Sequence, residues 1–376
     1  MIYMDQAATS FQRPPCVAQA VLDALNHAGN AARSTAEPSV KASCIIYEAR
    51  KNLAKLFNAK EENVAFTSGI TESLNLVIES FLHRGHVITT AGDHNSVLRP
   101  LFLREKMLDL TVLPVDAHGC IDYALLERAF RPDTVAVITT GASNVTGNMI
   151  DIQAVGSMAR AHDAMFILDS AQVAGIVPLD IDNLNIDVLC FTGHKDLLGP
   201  QGTGGIVLRD GLHPVPVKVG GSGFYSFSKT HPDMMPYVFE AGTANSHGLA
   251  GLNAAVKWLL ENENELNEAA INLAVHFYEG LLEIPDVKVY GSFKDTNRVP
   301  VISLNISDAD SGQVADMLWR DYEIAVRSGV HCAPLLHQAL GTAQQGTVRF
   351  SFSRFNTMQE VNAALQALRE IRGRLC

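Results

Sequence analysis

Phe166-Ile-Leu-Asp169-Ser-Ala-Gln172, followed by Val188-Leu-Cys-Phe191-Thr-Gly-His194-Lys195, decides the fold. Each stretch opens as a short unbroken apolar run, the pattern of a strand covered on both faces in a parallel sheet. The first run ends on a carboxylate, and the second leads into a His-Lys pair. Open α/β sheets bind ligands just beyond the carboxyl ends of their strands, so Asp169 and Lys195 are expected to meet there. At arbitrary positions an Asp and a Lys read as a helix cap and a solvated charge. The neighbouring residues here are those that a ligand site needs.

Outward from this pair, helical patterns alternate with short apolar strands from about residue 14 to 210. Strands are expected at Val64 to Phe66, His86 to Thr90, Leu110 to Val115, Thr134 to Thr140, Met165 to Leu168, Val188 to Phe191 and Gly204 to Leu208. Helices are expected at Pro14 to Ala28, Ser39 to Phe57, Glu72 to Phe81, Ser96 to Met107 and Gln153 to His162. That alternation predicts an α/β fold with a doubly wound, mainly parallel seven-stranded sheet flanked by helices. Val219 to Gly223, and on to Gly242, lacks periodicity and reads as a loop over the site. A long helical stretch from Leu249 to about Leu282 follows. Strands at Val301 to Asn305 and Thr347 to Phe352, with helices near Gly312 to Arg320 and from Thr357, read as a smaller α+β unit. We therefore expect a large domain over residues 14–260, and a small one built from 1–13 and 261–376.

Of the 376 residues, 47% are hydrophobic and 18% charged, which indicates a well-buried globular protein. The net charge of −11 argues against nucleic acid or an anionic membrane as a main partner. No apolar run approaches the ~18 residues needed to cross a bilayer, and Met1-Ile-Tyr-Met-Asp5 lacks the pattern of a secretory signal. A cytoplasmic location is expected. Cys16, Cys44, Cys120, Cys190, Cys332 and Cys376 include no CxxC pair, so neither a metal site nor a disulfide framework is expected. Cys190 sits in an apolar strand, whereas Cys332 lies in the turn-rich Arg327-Ser-Gly-Val-His331-Cys332-Ala-Pro334.

An acid and a lysine at one sheet edge suit pyridoxal phosphate. The lysine forms the Schiff base, and the carboxylate keeps the ring nitrogen protonated. Thr67-Ser-Gly69-Ile70-Thr71-Glu72 follows a strand and opens a helix, where backbone N–H groups and the helix dipole favour an anion such as the phosphate. Alone it reads equally as an ordinary helix start. His94, in Asp93-His-Asn-Ser96, follows another strand and can stack on a ring or move a proton. Asn144 and Gln172 are placed to donate to a ring hydroxyl from opposite sides. Arg327 and Arg349 are candidates for gripping a substrate carboxylate. Cys332 is a nucleophile if the substrate carries transferable sulfur, with His331 and His337 available to assist deprotonation. On its context alone it is also an ordinary loop thiol.

These motifs closely resemble the cysteine desulfurases, within class V of the fold type I pyridoxal-phosphate enzymes. The resemblance runs from Met4-Asp-Gln-Ala-Ala-Thr9 to Arg349-Phe-Ser-Phe-Ser-Arg354, and rests most firmly on Thr192-Gly-His-Lys195 with Gly199-Pro-Gln-Gly-Thr-Gly204, and on the Cys332 loop. It implies that Lys195 is the Schiff-base lysine, Asp169 the partner of the ring nitrogen and His94 the stacking histidine. Asn144 and Gln172 become ring-hydroxyl and substrate contacts. Gly69, Ile70 and Thr71, with Thr192 and His194, become the phosphate site. Arg349 matches the substrate-carboxylate arginine and Cys332 the persulfide-forming cysteine. Glu240-Ala-Gly-Thr243-Ala-Asn245 matches a segment reaching the phosphate of the neighbouring subunit, which implies a homodimer with shared sites.

The short stretch between Cys332 and Arg349 resembles the short-loop group that includes selenocysteine lyases. Val330 and Asn95 depart from that pattern, since each stands where a histidine often occurs. L-cysteine or L-selenocysteine is the expected substrate, and a sulfur-acceptor protein an expected partner. The rivals are other class V activities (selenocysteine lyase, sulfinate desulfinase, cysteine lyase, aminotransferase) and, more remotely, a non-catalytic sulfur-carrier scaffold.

Overall fold

The computed structural model describes residues 1–31, 34–223, 225–294 and 297–375, with the backbone alone for residues 263–267. Cys376 lies outside the described residues. The chain opens with strand β1 (Ile2–Tyr3) and helices α1 (Pro15–His27) and α2 (Glu37–Phe57). The central sheet is then laid down by β2 (Val64–Thr67), β3 (Gly85–Thr90), β4 (Leu108–Leu113), β5 (Thr134–Thr140), β6 (Met165–Asp169), β7 (Val188–Thr192) and β8 (Gly204–Leu208). Between them lie α3 (Ile70–Phe81), α4 (Asn95–Leu103), α5 (Tyr123–Ala129) and α6 (Ile152–Ala161).

The seven strands run in the order β2-β8-β7-β6-β5-β3-β4. β8 is antiparallel to both its neighbours, and the other pairings are parallel. The inner parallel strands β3, β5, β6 and β7 are buried on both faces. Phe166 and Leu168 of β6 pack into a core with Leu53 of α2 and Val155 of α6, while Ile167 between them joins Leu74 of α3 and Val97 of α4 on the other face. That alternation explains why the strands read as continuous apolar runs. Each fully buried side chain of this size contributes about 2 kcal/mol.

The expected helical stretch from Leu249 to about Leu282 consists of two helices, α7 (Ser246–Glu261) and α8 (Glu263–Leu282), meeting at Asn262 with φ −130°. Asn262 takes up a non-helical φ between them, and its Nδ2 donates to the Trp258 carbonyl. After α8 come β9 (Val287–Tyr290), β10 (Val301–Ile306), α9 (Ser311–Tyr322), β11 (Ile324–Ala325), β12 (Arg327–Gly329), α10 (Pro334–Ala339), β13 (Thr347–Ser351) and α11 (Met358–Leu375). β12-β13-β10-β9 form a second, antiparallel sheet, and β1 pairs with β11. Its core gathers Phe277, Leu304, Leu318, Phe350 and Leu368, and takes in Met4 from the start of the chain. Among the described residues no helix is long and apolar enough to cross a membrane.

Candidate active site

Parallel neighbours end on the same edge, so the turns after β7, β6, β5 and β3 stand in a row. They deliver Lys195, Asp169, Asn144 and His94 in that spatial order. Asp169 pairs in register with Thr140 on one side and Cys190 on the other. It is buried, and its Oδ1 accepts the Ala171 N–H at 2.9 Å. Burial raises its pKa, and the charge of Lys195 partly offsets that rise. Burial likewise lowers the Lys195 amine to about 8. Asp169 opposes this shift and Arg349 adds to it. The two charges therefore sense each other across adjacent strand ends.

At the other side of Lys195, Thr67 of β2, Gly204 of β8 and Thr192 of β7 lie in register across three strands. The loop after β2 passes so close that a Cβ on Gly204 would stand 2.5 Å from the Gly69 Cα. Gly69 itself has φ +152° and precedes α3 without offering a side-chain cap, which leaves the first-turn N–H groups of Ile70 and Thr71 turned toward any anion. The Thr71 hydroxyl meets the Ser96 hydroxyl at 2.8 Å. The Thr192 Oγ1 beside this loop is buried with no hydrogen-bond partner. A buried orphan hydroxyl next to an uncapped helix start is what a phosphate group would complete, so the residues present fit pyridoxal phosphate.

His94 caps α4, its Nδ1 accepting the Ser96 N–H at 3.0 Å. A ring nitrogen that accepts from an amide is unprotonated, which places the hydrogen on Nε2. Burial, reinforced by Lys195, Arg327 and Arg349, lowers its pKa to about 4. The ring is neutral near pH 7. His194 is held at about 4 by burial and by Lys195, with Nδ1 3.1 Å from the Thr9 hydroxyl.

Asn144 is buried, and its Nδ2 donates to the His331 carbonyl at 2.7 Å. Gln172 donates to the Ala7 carbonyl at 3.1 Å. These two amides were expected to face a ring hydroxyl, and each has one hydrogen engaged by the protein itself. Arg349 and Arg327 are directly opposite on β13 and β12. Arg349 is 1% exposed, its Nη2 is 2.6 Å from Asp5 Oδ1, its Nη1 donates to the Asn144 carbonyl at 3.1 Å, and its Nε is unpartnered. Among the described residues no carboxylate lies within ion-pair distance of Arg327.

The Cys332 thiol is half-buried in the loop after β12. The expected help from histidine is not what the structure provides. His331 Nε2 binds Thr347, its carbonyl and hydroxyl both at 3.1 Å, and His337 Nδ1 binds the Thr342 hydroxyl at 2.7 Å. Burial lowers the two rings to about 2 and about 4, which makes them weak bases for a thiol. Thr243 lies exposed on a cavity of about 440 Å³ whose walls include Thr67, Ser68 and Glu72.

Two carboxylates given no role in the sequence reading complete the site. Asp5 is the counter-ion of Arg349. Asp93 is fully buried and accepts from the Thr89 and Thr90 hydroxyls and from the Thr90 and Thr140 N–H groups, tying the ends of β3 and β5 together just before His94. An acid directly preceding the candidate histidine was the available signal.

The Aminotransferase class-V family model matches residues 2–364. The chain is similar to a probable cysteine desulfurase of Methanothermobacter thermautotrophicus, 29% identical over 99% of this chain and 95% of the relative. It is 31% identical to a probable cysteine desulfurase of Pyrococcus abyssi, over 99% of this chain and 94% of that one. The apo structure of a cysteine desulfurase from Thermococcus onnurineus NA1 superposes with a TM-score of 0.92 at 31% identity, covering 99% and 94% of the two chains.

Proposed function

The chain belongs to the class-V aminotransferase family, and we propose how its side chains divide the work of a pyridoxal-phosphate-dependent cysteine desulfurase. Pyridoxal phosphate, when bound, supplies an aldehyde for condensation with amines and a ring that withdraws electrons from the substrate Cα. Lys195 would hold it covalently and Asp169 would face its ring nitrogen. Thr192, His194, Ile70, Thr71 and the Gly69 backbone would take the phosphate. His94 would lie against the ring, with Asn144 and Gln172 at its hydroxyl. Thr243 is assigned to the phosphate of the partner subunit in a homodimer.

Because its pKa is lowered to about 8, part of the Lys195 population is neutral near pH 7, which suits a nucleophile and a base for the Cα proton. The Asp169 carboxylate, raised by burial and offset by the charge of Lys195, would pair with a protonated pyridine nitrogen. Neutral His94 can carry a proton, and the charge of Lys195 acts on its ring. Arg327, without an acidic partner among the described residues, and the Arg349 edge bearing Nε would grip the substrate carboxylate. The Cys332 thiolate attacks the sulfur of L-cysteine: an S–S bond forms, the substrate Cβ–S bond breaks with its electron pair left on the carbon side, Cβ takes up a proton, and L-alanine leaves while the persulfide stays on Cys332. A protein acceptor would then collect the sulfur. The observation that supports this reading most is the placement of Asp169 and Lys195 on adjacent strand ends beside the orphaned Thr192 hydroxyl.

Cys332→Ser tests the assignment. Alanine and sulfide release from L-cysteine should vanish while the cofactor's visible absorbance is retained. Undiminished release would refute the role of Cys332. L-selenocysteine and L-cysteine sulfinate, assayed beside L-cysteine, decide the preferred substrate.

A further inference from the structure

The loop that carries Cys332 is tied to the cofactor side of the crevice at two consecutive carbonyls. Asn144 Nδ2 donates to the His331 carbonyl at 2.7 Å, and the Asn95 N–H donates to the Cys332 carbonyl at 2.8 Å. His331 and Cys332 both have left-handed backbones, with φ +47° and +58°. Residues bearing a Cβ keep that conformation only under constraint from their surroundings. The two donors come from different strand-end turns, one after β5 and one directly after His94 at the start of α4. Asn144 also offers its own carbonyl to Arg349. One side chain thus touches the thiol loop while its residue supports the substrate arginine.

We propose that Asn144 and the Asn95 N–H form a latch that positions the Cys332 loop, making Asn144 a positioning residue for the nucleophile as well as a pocket residue. The proposal rests on Cys332 being the sulfur-accepting residue. Asn144 Nδ2 has a second hydrogen and Oδ1 is an acceptor, so the amide can serve a group bound in the pocket while it holds the His331 carbonyl.

Two variants of the holoenzyme test it. Asn144→Asp keeps the shape but replaces the donor by an acceptor facing a carbonyl. Asn95→Pro deletes only the second bond: Asn95 is the first residue of α4, where proline is accommodated, and His94 at φ −72°, ψ 154° already has the extended backbone that precedes proline. In both variants, amide exchange over residues 329–333 and alkylation of Cys332 by iodoacetamide should accelerate about fivefold, the shift that one lost hydrogen bond permits. Exchange in β10 and β13 should stay as it was, since general loosening would move these strands too. Unchanged loop exchange and alkylation in both variants would overturn the latch. Acceleration in Asn144→Asp alone would overturn it as well, because the effect would then arise in the pocket. Neither readout needs turnover, so a failure of the desulfurase assignment shows separately, as absent alanine production by the unaltered enzyme.

Discussion

Arg349 Nη2 lies 2.6 Å from Asp5 Oδ1, joining residues 344 positions apart in sequence. The guanidinium is buried and the carboxylate keeps 19% of its surface. Removing one partner of such a pair strands the other charge in a poor dielectric. Asp5→Ala should therefore lower stability by about 2–3 kcal/mol, less than for a fully enclosed pair. The KM for L-cysteine should rise, since Arg349 loses the group that orients it. Urea unfolding and steady-state kinetics measure both, and an unaltered unfolding midpoint would contradict the role of the pair.

Thr192→Val separates the cofactor-free and cofactor-bound proteins. Valine matches threonine in shape but removes the unpartnered hydroxyl. Without cofactor, the variant should melt at the same temperature as the parent or higher, because an unsatisfied buried group has been deleted. With cofactor, a charge-assisted hydrogen bond is lost, and Kd should rise about tenfold. Thermal melts and fluorescence titration give the two numbers. Unchanged affinity would place the phosphate elsewhere.

Acid should destabilise this fold between about pH 6.5 and 4. The cofactor-free protein holds His94, His194 and His337 at about 4, and His331 at about 2. In that window the unfolded chain binds protons that the folded chain refuses, so stability falls as pH falls. Asp93 and Asp196, both raised to about 6 by burial, and Asp169, also raised, act in the opposite sense. His86, also lowered by burial, joins the four, so the histidines outnumber the carboxylates and stability should fall as the pH falls through this window. Chemical denaturation at several pH values checks the slope. Stability that rises on acidification across this range would show that the histidines are not held neutral.

The strands that build the site were legible because parallel strands are covered on both faces and so read as unbroken apolar runs. Thr134–Thr140 and Gly204–Leu208 have the bounds that the pattern predicted. Helix α5 and the pieces α10, β11 and β12 were missed, since two to seven residues are too few to display a period. The break at Asn262 was hidden among good helix formers. In the site, Asp169, Lys195, His94 and Asn144 were legible as polar residues following apolar runs, and Arg349 as a charge inside one. The functions of Asp5 and Asp93 were not, because their partners lie on other elements. The histidines near Cys332 misled for the same reason: adjacency in sequence did not bring their free nitrogens to the thiol.

The opening segment has a consequence for synthesis on the ribosome. Asp5 meets Arg349, Gln6 meets Asp196, the Ala7 carbonyl meets Gln172, and Thr9 and Ser10 meet His194. Asp5 stays without this partner until Arg349, 344 positions further along the chain, is in place. A nascent chain can finish its seven-stranded sheet while its crevice is still open on one side. The closing step is a long-range docking event, slow by the standards of local folding.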